Sequence, residues 1–145
     1  MEFKFSEESN ISGPNVLQKF KTALIKDLKV SFPEFIDSLE VIDLDSSTSE
    51  KFSHHLIINF MTCKKEPVYF TNNRNVGNYV KKFCEKVQNL VILPSGKSFV
   101  DEAVYSKNRN FRTLLSSKYG RKATLKSENA QDDNKKDFFF KVLLN

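Results

Sequence analysis

Cysteine is scarce in this sequence, with only Cys63 and Cys84 among 145 residues. Cys84 falls at an apolar position of a predicted helix, so neither a disulfide framework nor a cysteine-based zinc site is predicted, and a reducing compartment is expected. Long apolar runs are also missing, since no stretch approaches the roughly 20 residues that span a bilayer. The charged start "MEFKFSEESN" lacks the apolar core of a signal peptide. We therefore expect a soluble protein with no membrane partner.

A glycine-rich phosphate loop is missing as well. The segment "LPSGKS" ends like a Walker A motif, but Val91 stands where that motif requires its first glycine. The sequence therefore excludes a P-loop nucleotide site.

The basic charge is concentrated in one segment of the chain. The whole sequence has a net charge of +5, whereas the segment from Lys97 to Lys126 has eight basic and two acidic residues, a local balance of +6. Tyr105, Phe111 and Tyr119 are interspersed with these cations. Aromatic rings and arginine planes stack on bases while lysine and arginine bind phosphates, so the segment is a candidate nucleic-acid surface. A solvated charged face is the alternative interpretation.

The order of predicted elements is typical of an α+β protein. Apolar residues at helical spacing alternate with short β-branched runs and turn signals. We expect one domain over residues 1–145, with a mixed or antiparallel sheet flanked by helices. The predicted helices cover 15–30 and 76–90, the strands 39–45, 50–60, 99–105, 110–115, 122–126 and 137–144, and a polar linker 127–136 precedes the last strand.

The run "EKFSHHLIINF" has the alternation of a strand with one buried face. Residues two apart share a face, so Ser53 and His55 point together, while His54 joins Phe52 on the predicted core side. Lys51 lies one step further along the Ser53 face. A lysine, a hydroxyl and an imidazole in a row offer a cation and two donors to phosphate oxygens. A partly exposed strand face with a satisfied histidine is the alternative.

Three acidic residues are candidate metal ligands. Asp43 and Asp45 in "VIDLDSS" share a strand face and are either a carboxylate pair for a divalent cation or turn formers. Asp101 interrupts the predicted strand "SFVDEAVY" on the same face as Phe99. Because a buried carboxylate without a cation or donor is costly, Asp101 is a candidate ligand.

Three stretches together resemble the catalytic core of the eukaryotic primase-polymerase family, within the archaeo-eukaryotic primase superfamily. They are "LDSSTSEKFSHHLI", "VGNYVKKFC" and "VDEAVYSKNRNFRTLLSSKYGRKATL", and the resemblance covers about residues 2–125. The Ser-x-His motif of that family is matched at Ser53 and His55, and its later hydrophobic-Asp motif at Asp101. The nucleotide-contacting cations that the resemblance implies are Lys51, Arg112 and Lys118, with Arg109 and Asn110 lining the same cleft.

The resemblance also implies parts that this sequence does not match. Family members begin their metal site with an Asp-x-Glu pair on a strand, for which Glu2 is similar to the glutamate and Met1 to the intervening residue. The aspartate would lie one position before the chain begins. No Cys/His cluster corresponds to the family's zinc-binding C-terminal region, so no zinc is expected. We therefore expect a fragment with little polymerase activity of its own.

Nucleotidyl transfer is the reaction that the resemblance implies for an intact member. Nucleoside or deoxynucleoside triphosphates would be added to a single-stranded DNA template-primer during replication restart, damage tolerance and translesion synthesis. Asp101 and Glu2 would be catalytic ligands of a two-metal site for Mn²⁺ or Mg²⁺, incomplete here, and His55 a further catalytic residue. The implied compartment is the nucleus, the mitochondrion or both, although no targeting segment is seen.

Two other functions use different residues. A noncatalytic module that binds single-stranded nucleic acid would need only the basic segment 97–126. A divergent phosphohydrolase would need Asp43 and Asp45 rather than Asp101.

Overall fold

The computed structural model describes residues 1–8, 10–34, 39–62, 64, 66–106, 115–117, 119–120 and 123–127. Within these ranges the chain includes five strands, three α-helices and a short 3₁₀ helix after Asp101, which confirms the α+β class. In chain order they are β1 (Glu2–Lys4), α1 (Gly13–Ser31), β2 (Glu40–Asp45), β3 (Lys51–Met61), β4 (Pro67–Val68), α2 (Asn73–Lys86), α3 (Gln88–Val91), the 3₁₀ helix (Glu102–Tyr105) and β5 (Lys126–Ser127). The predicted strand 137–144 and nearly all of 110–115 and of the linker 127–136 lie outside the described residues.

The sheet is open and antiparallel in every described pair. Its order is β1-β3-β2-β5, and the two-residue β4 pairs with the far end of β3. β3 is therefore the central strand, in contact with β1, β2 and β4. The register opposes Asp43 to Leu56 and Leu44 to His55, and this places the charged residues of β2 beside the histidines of β3.

The larger hydrophobic core lies between one face of β3 and the helices. Helix α1 begins after Ser12, with Pro14 in its first turn, where a missing backbone N–H costs nothing. Its buried residues recur at the three- and four-residue spacing of one helix face. These residues of α1 are Leu17, Phe20, Leu24 and Leu28, and they share a core with Phe3, Phe52, Phe60, Phe83 and Phe99.

The predicted helix over 76–90 is two helices. Helix α2 begins after Asn72, whose side chain accepts a hydrogen bond from the N–H of Asn75. Its last helical residue is Lys86; the C-cap Val87 has φ −115° and ψ 32°, and the four-residue α3 follows. Tyr79 and Lys86 of α2 both donate hydrogen bonds to Asp27 of α1, and the turn after α3 contains Gly96, which has a φ of +80°.

The predicted strand over 99–105 is wrong. Phe99 is buried, but the Asp101 carboxylate accepts a hydrogen bond from the N–H of Ala103, 3.0 Å away, and begins the 3₁₀ helix. A short polar side chain that bonds to the backbone two residues ahead competes with strand pairing. Asp101 is consequently exposed instead of sharing the buried face of Phe99.

A second, smaller core lies on the opposite face of the sheet. Ile42 and Leu44 of β2 pack there with Leu125, which is fully buried, and with the partly buried Ile57. Leu125 leads into β5, so the predicted strand 122–126 is confirmed in part at Lys126. Within the described ranges, every helix is too short or too polar to cross a lipid bilayer.

Candidate nucleotide and metal site

One face of β3 and β1 carries a row of polar side chains. The antiparallel register opposes Glu2 to Ser53 and Lys4 to Lys51, so Glu2 shares a face with Lys51, Ser53 and His55. On that face the Nζ of Lys51 donates to Oε2 of Glu2, and both side chains remain partly exposed. The strand face that was predicted to carry Lys51, Ser53 and His55 therefore also carries the carboxylate of Glu2 from β1.

Ser53 is buried and held by the turn that follows β2. Its N–H donates to Oγ of Ser47 at 3.0 Å, and its carbonyl oxygen accepts from the N–H of Ser46 at 2.9 Å. The hydroxyl of Ser46 donates to the Ser53 hydroxyl at 3.1 Å. The side chain of Ser53 therefore has a defined position, whereas His55, two residues on, is half-buried beside the small core.

Asp101 reaches this site because the segment before it pairs with β1. The N–H of Glu2 donates to the carbonyl oxygen of Phe99 at 2.8 Å, which brings residues 99–101 alongside β1. Burial lowers the pKa of the Met1 α-amino group, while the nearby charges of Glu2 and Asp101 act in the opposite direction.

A cavity of about 630 Å³ adjoins these residues. It is lined by β3 from Ser53 to Phe60, by Met1 and Glu2 at one end, by Val68 at the other, and by Asp101. Ser53, His55, Glu2 and Asp101 are among its polar lining residues, and Phe20, Leu24 and Leu28 of α1 are among its apolar ones. The lining therefore combines polar and apolar side chains.

The cavity follows a gap in the sheet. Met1 exchanges backbone hydrogen bonds of 2.8 and 2.9 Å with His54, and β4 pairs again at Phe60. Backbone groups of alternate residues in an antiparallel strand point to the same side, so Leu56 and Ile58 turn theirs towards this gap. No strand among the described residues pairs with them there.

The other face of β3 holds a second charged cluster that the sequence analysis did not predict. His54 stacks on Phe52 with ring centroids 4.5 Å apart, as expected for the core side. Its Nδ1, however, lies 2.7 Å from Oδ1 of Asp43, and its Nε2 lies 3.4 Å from Asp45. Oδ2 of Asp43 also accepts a hydrogen bond of 3.2 Å from Lys21 of α1.

This cluster accounts for the two aspartates that were candidate metal ligands or turn formers. Burial acts to raise the pKa of Asp43, but the hydrogen bonds and charges of His54 and Lys21 outweigh it and lower that pKa. Asp45 accepts a hydrogen bond from the N–H of Ser47 at 2.7 Å, which is the turn-forming role. The sequence indicates this cluster only by two alternate aspartates in β2 and a histidine in β3. The register of the two strands is what makes these residues neighbours.

The predicted cleft residues Arg109, Asn110, Arg112 and Lys118 lie outside the described residues, as do six of the eight basic residues of the segment 97–126. In the part of the chain that is described, no three His, Cys, Asp or Glu side chains are grouped as a ready metal site. The carboxylates that line the cavity there are Glu2 and Asp101. Both are hard oxygen donors of the kind that Mg²⁺ and Mn²⁺ prefer.

The sequence of this chain is similar to the sequences of several named proteins. The chain is 29% identical to the DNA-directed primase/polymerase protein of Danio rerio over 85% of its residues, and 28% identical to that of Mus musculus over 88%. The Gallus gallus protein of the same name is 33% identical over 63% of the chain. The chain is primase-polymerase-like. No family model matches it.

The similarity to primase-polymerases concerns only part of each relative. The alignments cover 30%, 33% and 15% of the Danio rerio, Mus musculus and Gallus gallus proteins respectively. The chain therefore spans about a third or less of the length of the curated relatives that it matches. The resemblance that the Ser-x-His and Asp motifs predicted is confirmed at this level.

Proposed function

We propose that the chain forms the nucleotide-binding side of a nucleotidyl-transfer site. In that reaction a primer 3′-hydroxyl attacks the α-phosphorus of a nucleoside triphosphate bound opposite a DNA template, and pyrophosphate leaves. The observation that carries the proposal is that Glu2, Lys51, Ser53 and His55 share one sheet face, and that Glu2, Ser53, His55 and Asp101 line one cavity. The names of the relatives support the same reaction class.

Three side chains of β3 are proposed to bind the triphosphate. Lys51 supplies a cation, and Ser53 and His55 supply neutral or charged donors at two-residue intervals along one strand. Phosphate oxygens would compete with Glu2 for the Lys51 ammonium group, since both are anions. Fixed donors of this kind stabilise the charge that develops on the phosphates during transfer.

Glu2 and Asp101 are proposed to hold Mn²⁺ or Mg²⁺. These cations are commonly bound through one or two carboxylates together with substrate phosphates. Two carboxylates next to the proposed phosphate-binding residues Lys51, Ser53 and His55 fit this pattern. Glu2 and Asp101 would hold such ions, whose chemistry would be to activate the attacking hydroxyl and to neutralise charge on the leaving oxygens. Asp101 keeps its place through the hydrogen bond to Ala103, and Glu2 through the pairing of β1 with β3.

The remaining parts of the proposal concern the primer and the cell. Arg109, Asn110, Arg112 and Lys118 are proposed to contact the nucleotide and a single-stranded DNA template-primer. This reaction would operate where DNA is replicated, in the nucleus or the mitochondrion, during restart and damage tolerance. We expect little polymerase activity from the 145-residue chain alone, because its described residues bring only two carboxylates to the cavity.

The test is calorimetric titration of a deoxynucleoside triphosphate into the folded chain, with and without Mn²⁺. We expect metal-dependent binding that is lost in Asp101→Asn, a change that removes the charge while its amide oxygen can still accept from Ala103. Glu102→Gln is the matched control, because Glu102 is the exposed acidic neighbour in the same 3₁₀ helix. Metal-independent binding, or equal loss in both variants, would contradict the proposed ligand role.

Catalytic competence is tested by adding an upstream strand. A chain extended by several strand-forming residues, with aspartate directly before Met1, should gain template-directed nucleotide incorporation. The same extension with asparagine at that position is the control, since it pairs equally well but lacks the carboxylate. Absence of any gain in a folded, nucleotide-binding protein would count against a latent polymerase site.

The noncatalytic module remains the second candidate because of the basic segment 97–126. This hypothesis predicts that the chain binds single-stranded DNA without nucleotide or metal, and that the affinity falls steeply as the salt concentration rises. Asp101→Asn should leave that binding unchanged. Fluorescence anisotropy with a labelled oligonucleotide at two salt concentrations measures this directly.

A further inference from the structure

The hydroxyl of Ser46 is buried against the hydroxyl of Ser53. We propose that Ser46 is a positioning residue, which orients the Ser53 hydroxyl so that its hydrogen points towards a phosphate oxygen of the bound nucleotide. This inference rests on the proposed function of the Ser53 face. Ser46 belongs to the turn after β2 and lies outside the Ser-x-His motif.

The geometry around the two serines is tightly defined. Ser46 is 7% exposed and Ser53 6% exposed, so little water competes for their hydrogen bonds. Oγ of Ser46 lies 3.1 Å from Oγ of Ser53 and, in a longer contact, 3.4 Å from the Ser53 carbonyl oxygen, which also accepts from the N–H of Ser46 at 2.9 Å. The backbone and the side chain of Ser46 therefore both bond to Ser53.

The direction of the hydrogen bond between the two hydroxyls decides whether Ser53 can donate its own hydrogen to a ligand. A serine hydroxyl has one hydrogen to donate and lone pairs that accept. When Ser46 donates to Oγ of Ser53, that oxygen accepts, and its own hydrogen is left for another acceptor. Ser53 lines the cavity together with His55 and Glu2, where a bound ligand could receive this hydrogen. An anionic oxygen is the acceptor that makes the strongest such bond.

The rest of the turn fixes Ser46 in place. Oδ1 of Asp45 accepts from the N–H of Ser47 at 2.7 Å, and Oγ of Ser47 in turn accepts from the N–H of Ser53 at 3.0 Å. The N–H of Thr48 donates to the carbonyl oxygen of Lys51 at 2.8 Å. These hydrogen bonds of the segment 45–48 therefore hold Lys51 and Ser53, two of the residues proposed to bind phosphate.

The experiment is a double-mutant cycle of Ser46→Ala and Ser53→Ala, read by calorimetry with a deoxynucleoside triphosphate and with inorganic pyrophosphate, both in Mn²⁺. Ser46→Ala should weaken binding of both probes about 3- to 10-fold, the range for one lost hydrogen bond. In the Ser53→Ala background the same change should have no further effect, because Ser46 acts through Ser53. Ser49→Ala, an exposed neighbour in the same turn, is the control and should bind like the unaltered chain.

Each other outcome has a distinct meaning. Equal, additive losses in both backgrounds would overturn the positioning role and show a general effect on the turn, which thermal denaturation would also register. Unaltered binding in Ser46→Ala, when the natural chain binds both probes, would overturn this inference alone. Failure of the natural, folded chain to bind either probe would overturn the proposed function and this inference together.

Discussion

The replacement Asp43→Asn is expected to destabilise the fold without touching the proposed site. Asp43 joins three elements, because its Oδ1 lies 2.7 Å from Nδ1 of His54 in β3 and its Oδ2 accepts from Lys21 of α1 at 3.2 Å. The side chain is 18% exposed, and that of His54 is 10% exposed. Asparagine has the same shape but can accept through only one of its two terminal atoms.

The magnitude follows from the bond that is lost. If the amide oxygen faces His54, the amide NH₂ faces the Lys21 ammonium group, and two donors oppose each other. A hydrogen bond to a charged group contributes about 1.5–3 kcal/mol, so we expect the free energy of unfolding to fall by about 2–3 kcal/mol. For a chain of this length the melting midpoint should fall by about 5–10 °C.

The effect should depend on pH in a defined direction. The folded state lowers the pKa of Asp43 below its ordinary value of 3.8. A lowered carboxyl pKa contributes stability that is fully present above the unfolded value and is lost as the pH falls through the folded value. The difference between the natural chain and Asp43→Asn should therefore be complete near neutrality and should shrink below about pH 4.

Urea unfolding at about pH 7 and at about pH 3.5 measures both quantities. Asp45→Asn is the matched control, because Asp45 is 39% exposed, lies 3.4 Å from the ring of His54 and can keep its bond to Ser47. It should cost less than about 1 kcal/mol. A larger cost for Asp45→Asn than for Asp43→Asn, or a difference that does not change with pH, would refute the assigned role of Asp43.

Two further predictions test the packing around the site. Gly13→Ala would place a Cβ 2.3 Å from Cδ2 of Phe52, and we expect overpacking to lower the unfolding free energy by about 1–3 kcal/mol; an unchanged urea midpoint would mean that the Phe52 ring moves aside freely. Burial raises the pKa of the Cys84 thiol to about 11, so a thiol reagent at pH near 8 should modify it far more slowly in the native chain than in urea. Comparison with Cys84→Ser separates its signal from that of Cys63, and rapid native modification would contradict its burial.

The elements with strong periodicity were predictable from the sequence. Helix α1 and strands β2 and β3 lie within one or two residues of the predicted ranges, because their apolar residues repeat at a single period and their ends carry turn signals. The alternation within β3 also separated His54 from Ser53 and His55 correctly. Asp101 was misassigned to a strand, since a local side-chain hydrogen bond to Ala103 outweighs the β propensity of the flanking valines.

By itself the sequence determined the class of the fold, the faces of β3 and the resemblance to primase-polymerases, because periodicity and motifs are local properties of the chain. The tertiary structure alone decided which distant residues meet. The β1-β3 register brings Glu2 to Lys51 and Ser53, and the β2-β3 register brings Asp43 to His54. Such contacts depend on strand pairing across tens of residues, which a one-residue shift would turn to the opposite face.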